Sequence, residues 1–493
     1  MSPFITIAII AVAAITAAAL KKPKDILGSA WVLALLGGVS VFAYTVPVIF
    51  NPAARWSDDL WLLDGFSALI ATMVAFVYIA ATIVGVRYIG HEFEEGVVNA
   101  KDLKTYFSLI HVFALSMLIA VMANNALLLW IALESTTLSS TFLVGLYRKK
   151  TSIEAAWKYI IICSTGITLG LIGILLLGYG SVVAGIKGSD IFLISALANN
   201  AHLISADIVR WAFVFIFIGF GAKVGLAPMH TWLPDAHSKA PSPISAMFSG
   251  VLLNVALYAV IRFKFITDSA MGHSDWTNGL LLFFGALSII IPAFMMLVQN
   301  NYKRMLAYSS VEHMGLITFA LALPPIGAIA ALIHMVGHTL TKSALFFGAG
   351  EILLEWKTTK TEKVRGLLKY APYTAILFLL GILAIIALPP SALFVSEYTM
   401  FVNAFALHPV VSLLVFAALS TIAFSMLRST ISMFASGKEE NVPTEMKQKW
   451  NITHSVIALQ LALLVIFGFW VSTDQGINLI NSIAKDAIYI SQK

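Results

Sequence analysis

Glu134, Lys223, Lys342 and Glu397 are ionisable residues lodged inside long apolar runs of this sequence. A charged side chain at the centre of a bilayer costs roughly 2.5–3.5 kcal/mol on insertion scales, so four of them need a functional reason. The run that holds Lys342 also holds His334 and His338, and the three stand at i, i+4 and i+8. At about 100° per residue they drift by only ~80° around a helix and form one polar stripe. Such groups can load and release protons: burial disfavours the charge of a lysine, and a nearby carboxylate favours it again. The chemistry indicated is a relay of protonatable groups. Helix–helix hydrogen bonds holding a bundle together are the bland alternative. They account well for a lone histidine, and poorly for three basic groups in register with two carboxylates and a lysine on other runs.

Other motifs fail on their own chemistry. His334-Met-Val-Gly-His338 has the spacing of a zinc pair but lacks the adjacent glutamate of the peptidase motif. Gly337-His-Thr-Leu-Thr-Lys342-Ser343 lacks the second glycine of a phosphate loop and sits inside an apolar run. Gly219-Phe-Gly221-Ala-Lys-Val-Gly225 has one residue too many for a dinucleotide fingerprint, with no strand before it. The one cysteine, Cys163, cannot hold zinc or an iron–sulfur cluster alone. No metal, nucleotide or cofactor is expected on this chain, and no catalytic centre. Uphill transport would then draw on an opposing ion gradient or on a partner carrying redox centres.

The elements that position these residues are transmembrane helices. The chain is 59% hydrophobic and 11% charged, with a mean hydropathy of +0.89, whereas soluble domains carry about 25% charged residues. About 14 runs reach the ~20 residues that a span needs: 3–20, 29–50, 62–86, 106–123, 125–147, 157–180, 208–229, 240–262, 277–298, 305–323, 326–353, 371–406, 408–433 and 452–472. The twelfth is too long for one straight span, and Pro389-Pro390 predicts a break in it. Gly219, Gly221, Gly225 and Pro228 weaken the seventh in the same way. Two interrupted helices five spans apart suggest an internal repeat with the site between its halves.

The net charge of +6 is spread over short loops and forms no basic face, so nucleic acid is not expected as a partner. No basic residue precedes the first apolar run, and Lys21, Lys22 and Lys24 follow it, the reverse of a cleavable signal. With 14 spans and the N-terminus outside, about 21 of the Lys and Arg residues fall on one side and about 7 on the other, as the positive-inside rule asks. Both termini are thereby expected outside, and the loop 357–369 in the cytoplasm.

The stretch Gly221-Ala-Lys223-Val-Gly-Leu-Ala-Pro-Met-His-Thr-Trp-Leu-Pro-Asp235-Ala-His, with Ala240-Pro-Ser-Pro-Ile-Ser-Ala after it, resembles the signature of the antiporter-like, proton-translocating membrane subunits of respiratory complex I. These are related to subunits of multisubunit sodium/proton antiporters and group 4 membrane-bound hydrogenases. The run from His334 to Glu351 resembles the eleventh helix of the same family. Glu134-Ser-Thr-Thr-Leu-Ser-Ser and Glu154-Ala-Ala-Trp-Lys-Tyr are most similar to the hydrogenase-4 component F branch.

The resemblance implies an all-α polytopic fold with two inverted five-helix repeats, spans 4–8 (residues 106–263) and 9–13 (277–433). A three-helix region (1–105) would precede them, and a loop, last span and short tail (434–493) would follow. It implies that Glu134 and Lys223 are the coupled pair of the first half-channel, that His334, His338 and Lys342 form the central axis, and that Glu397 ends the second half-channel. Asp235 would be a secondary, hydrating residue. Ser249 and Asn254 stand where relatives place a titratable His or Lys, so a relay through the eighth span would use water there. The implied partners are further antiporter-like and small membrane subunits, lipid, and peripheral redox subunits with nickel–iron and iron–sulfur centres. The implied cargo is protons, with sodium as the alternative, in a prokaryotic plasma membrane. The chain has no long lateral helix after its last span, which suggests an inner position in an assembly. A gradient-driven sodium/proton exchanger and a non-pumping scaffold are the competing functions.

Overall fold

A computed structural model describes residues 3–435 and 448–488; the connection 436–447 and the chain ends, on which the expected tail and the placement of the termini bear, lie outside the described residues. The first region comprises α1 (Pro3–Ala19), α2 (Pro23–Phe50), a two-strand hairpin (Trp56–Ser57 with Leu62–Leu63) and α3 (Gly65–Glu94). Then follow α4 (Ala100–Met122), α5 (Ala126–Val144), α6 (Lys150–Val183), the short α7 (Ile194–Asn199), α8 (Ala206–Val224), α9 (Trp232–Lys239), α10 (Ser242–Met247) and α11 (Leu253–Met271). The later part holds α12 (Asp275–Leu297), α13 (Tyr302–Leu321), α14 (Gly327–Trp356), the single-turn α15 (Leu367–Tyr370), α16 (Pro372–Ile385), α17 (Ala392–Leu407), α18 (Pro409–Phe434), α19 (Ile452–Val471) and α20 (Asp474–Ile488).

Among the described residues eleven helical segments are long and apolar enough to cross a membrane, and three apolar helices, α1, α16 and α17, are shorter. α13 carries Lys303, Arg304 and Glu312 and belongs to neither group, yet it is almost wholly buried in the bundle. Its polarity is therefore hidden from lipid. Outward-facing helices behave oppositely: α6, α12 and α18 present Trp157, Phe294 and Val410 at 62, 68 and 71% exposure.

Both expected breaks are present. α8 ends at Gly225, whose left-handed backbone (φ 81°) suits a residue without a Cβ. The span resumes as α9 after one 3₁₀ turn. The twelfth run parts into α16 and α17 at Ala387–Ser391, where Ser391 caps α17 by accepting from the Phe394 amide. A third irregularity was not legible in the sequence. Residues Phe248–Leu252 form a π-helical turn joining α10 to α11, a distortion common at functional sites.

Small residues set the closest helix contacts. A Cβ on Gly219 of α8 would lie 2.4 Å from the Gly170 amide and 2.6 Å from the Gly166 carbonyl of α6. A Cβ on Gly285 of α12 would lie 2.7 Å from the Phe319 amide of α13. Membrane helices lack a hydrophobic drive to associate and pack through such stripes.

At one end, α20 folds back across the bundle. Its Ile480, Ile483, Ala484 and Ala487 are buried, and Asp486 meets Arg55 at 2.6 Å and accepts from the Gly65 amide at 2.9 Å. Fifteen residues are too few for a span, so the sequence reading holds only a tail there. Beside it Arg262, wholly buried, pairs with Asp64 at 2.6 Å and donates to the Asp486 carbonyl at 3.0 Å.

Candidate ion-translocation axis

The first half of the axis is built by α5, α6 and α8. Lys223 stands one residue before the end of α8, is wholly buried, and donates to Thr137 Oγ1 at 2.7 Å and Tyr159 Oη at 2.9 Å. Tyr159 shares a second hydrogen bond of 2.8 Å with Ser140. Glu134 is half-buried and accepts from Ser164 Oγ at 2.6 Å, while its other oxygen is buried without a partner among the described residues. No ion pair within 4 Å joins Glu134 to Lys223 among the described residues; the link runs one turn along α5, from Glu134 to Thr137. The hydrogen bonds of Lys223 therefore end on neutral acceptors alone.

Between the halves, Ser249 in the π turn bonds Ser310 of α13 at 2.7 Å, and Asn254 donates to Thr339 of α14 at 3.0 Å. Neither titrates, but the structure supplies a histidine that the sequence reading overlooked. His237, near the end of α9, is wholly buried, stacked on Phe346 at 4.7 Å and edge-on to Phe248. Both of its ring nitrogens lack a hydrogen-bond partner among the described residues.

The second half is centred on α14. Lys342 donates to the Leu306 carbonyl at 2.9 Å. His338 is wholly buried with both nitrogens unpartnered among the described residues. His334 is bonded at both nitrogens: Nε2 to His313 Nδ1 at 2.8 Å and Nδ1 to Ser396 Oγ at 2.9 Å. A contact of that length between two imidazoles needs a proton on one ring and a lone pair on the other, and the roles can exchange. Glu397 lies on the same helix as Ser396, half-buried, and offers an oxygen within 4.8 Å of ligand atoms of His313 and His334. On the far side of His313, Glu312 Oε2 lies 3.4 Å from Nε2. The three basic groups of the α14 stripe thus face protein interior.

Glu312, His313 and His237 were missed, although the first two stand in the tenth apolar run, where the test applied to Lys342 would have caught them. Asp235 is placed elsewhere: at the surface it bridges Lys158 of α6 and Arg304 of α13, each at 3.1 Å. As a metal site, His313, His334 and Glu397 are close enough together. However, the imidazole–imidazole hydrogen bond places a proton where a metal would need both lone pairs.

Residues 123–425 match the family model described as NADH:quinone oxidoreductase/Mrp antiporter, TM. The chain is 38% identical over 355 residues to a hydrogenase-4 component F homolog of Methylacidiphilum infernorum, covering 72% of this chain and 74% of that protein. It is 32% identical over 379 residues to hydrogenase-4 component B of Escherichia coli, across 74% of this chain and 54% of that longer relative. In fold it is similar to a chain of the membrane-bound sulfane sulfur reductase, an archaeal respiratory membrane complex, with a TM-score of 0.86 at 23% identity, covering 99% and 98% of the two chains.

Proposed function

The chain belongs to the NADH:quinone oxidoreductase/Mrp antiporter membrane family, and on that footing we propose that it moves protons through Lys223, His237, Lys342, His338, His334 with His313, and Glu397. It is an antiporter-like, multi-pass membrane subunit of the kind found in hydrogenase-4 and complex I. Energy for uphill movement comes from electron transfer in partner subunits that carry nickel–iron and iron–sulfur centres, with other antiporter-like and small membrane subunits and lipid beside it. Residues 106–263 and 277–433 act as two half-channels, and Glu134 couples to Lys223 through the turn that holds Thr137. Both termini lie outside, with the 357–369 loop in the cytoplasm; a cysteine at Lys360 that reacts with an impermeant reagent from outside intact cells overturns that topology.

The observation that carries the proposal is the file of wholly buried Lys and His side chains, in which Lys223 and Lys342 donate to neutral oxygens, His334 bonds His313, and His237 and His338 keep bare nitrogens among the described residues. Nitrogen bases bind protons, whereas a hard cation such as sodium seeks oxygen ligands. The test is purification of the tagged chain with its partners, followed by measurement of pumped protons per electron. Redox subunits should co-purify, and Lys223→Met should abolish pumping in an assembled complex. Pumping that survives that substitution, or a chain that exchanges ions with no redox partner, refutes the proposal.

A further inference from the structure

The axis lies deep in the bundle, and a route between it and water has to be found elsewhere. A cavity of about 450 Å³ opens on the face that bears Lys149, Lys239, Lys357 and Lys360. Its deeper lining includes Glu92 and Lys303, 8% and 0% exposed. No ion pair within 4 Å joins the two among the described residues. Both Glu92 oxygens share the single hydroxyl of Tyr147, at 2.9 Å each, although a carboxylate has about four acceptor sites. Lys303 donates to the Ala240 carbonyl at 2.8 Å, and an ammonium has two further N–H groups to place.

Unspent polar atoms continue inward. Tyr88 Oη and Ser242 Oγ, buried beside each other and with Tyr88 also beside Tyr147 and Glu92, form no hydrogen bond of good geometry among the described residues. They meet around Gly350, where a Cβ would lie 2.8 Å from Ser242 Cβ and 3.3 Å from Tyr88 Cε2. His237 precedes Ala240 by one turn, and both of its nitrogens are buried and bare among the described residues. A polar cavity of this size, with several unsatisfied donors and acceptors, is one that water fills.

We propose that this cavity is the aqueous port of the axis, with Glu92 and Lys303 as the proton-transfer groups that connect its water to His237. In the inward direction a hydronium proton passes to the Glu92 carboxylate, then to the neutral amine of Lys303, then to a bare nitrogen of His237. Each group returns to its starting form as the proton moves on, so no oxidant or counter-ion is consumed. The inference rests on the relay proposed above.

The test uses the assembled complex in inverted vesicles, with pumped protons per electron as the readout. Glu92→Gln and Lys303→Met should each lower that ratio about tenfold or more, with uncoupled electron transfer retained, and Glu92→Asp should restore part of it. Cys163, the chain's single cysteine, is buried, so a cysteine replacing Val97, 50% exposed on the cavity wall, can be labelled alone. Unlabelled Val97→Cys should pump like the parent, and a bulky charged thiol reagent applied from the cation-rich side should cut the ratio by more than half. Complete labelling with an unchanged ratio overturns the port, as do parental ratios in both substitutions. Should the substitutions fail to assemble, the labelling arm decides. Lys342→Met, run in parallel, separates the two ideas: if it alone loses pumping, the port fails and the relay stands; if it too pumps normally, the relay itself fails.

Discussion

Replacing Lys342 by methionine removes a titratable group from the axis while leaving its packing almost intact. The lost hydrogen bond ends on the Leu306 carbonyl, which also accepts from Ser310 Oγ at 3.0 Å. No backbone acceptor is therefore stranded, and the fold loses at most the ~0.5–1.5 kcal/mol net worth of one hydrogen bond. The methionine fills the same buried space and has no charge to solvate, which offsets part of that. Transport suffers far more. Without a base at this point, a proton must cross as a charge in apolar surroundings, at roughly 2.5–3.5 kcal/mol by insertion scales. At about 1.4 kcal/mol per tenfold in rate, that is a slowing of order a hundredfold. The assay is pumped protons per electron in vesicles containing the complete complex, with subunit content and uncoupled electron transfer measured beside it. Lys342→Arg gives a second check: it keeps the charge, but a guanidinium does not release its proton in proteins, so pumping should stay low. An assembled Lys342→Met complex with unchanged pumping refutes the relay and leaves the polar axis as scaffold.

Glu397→Gln keeps the shape of a carboxyl group that offers an oxygen near His313 and His334, so the complex should assemble while pumping falls about tenfold or more; a carboxylate that merely reached for the membrane surface would cost little of either. Asp64→Ala strands the wholly buried Arg262, and a lowered melting point in detergent should report a loss of about 3–5 kcal/mol; an unchanged melt would show that Asp486 suffices alone. Gly219→Val drives a side chain into the α6 backbone and, four residues from Lys223, should cost about 1–3 kcal/mol or more together with pumping. Normal yield and normal pumping would mean that α6 and α8 can part without disturbing the lysine.

Composition and local pattern determine a great deal here. Apolar runs of spanning length leave helices as the form that satisfies their backbone, and the prolines at 389 and 390 and the glycine at 225 mark where two of those helices break. The i, i+4, i+8 spacing of His334, His338 and Lys342 fixes a shared face without any knowledge of neighbours. Partnership between helices is a different matter. That His334 bonds His313, that Lys223 rests on Thr137 and Tyr159 while Glu134 turns to Ser164, and that α9 delivers His237 to the centre all depend on the relative height and rotation of helices distant in the chain. Those are set by contacts such as Gly219 on Gly166 and Gly170, where backbones approach within a Cβ's breadth. Residue spacing along one chain does not encode such offsets between helices. A shift of one residue rotates a side chain by about 100° and carries it 1.5 Å along the axis, enough to exchange one hydrogen-bond partner for another.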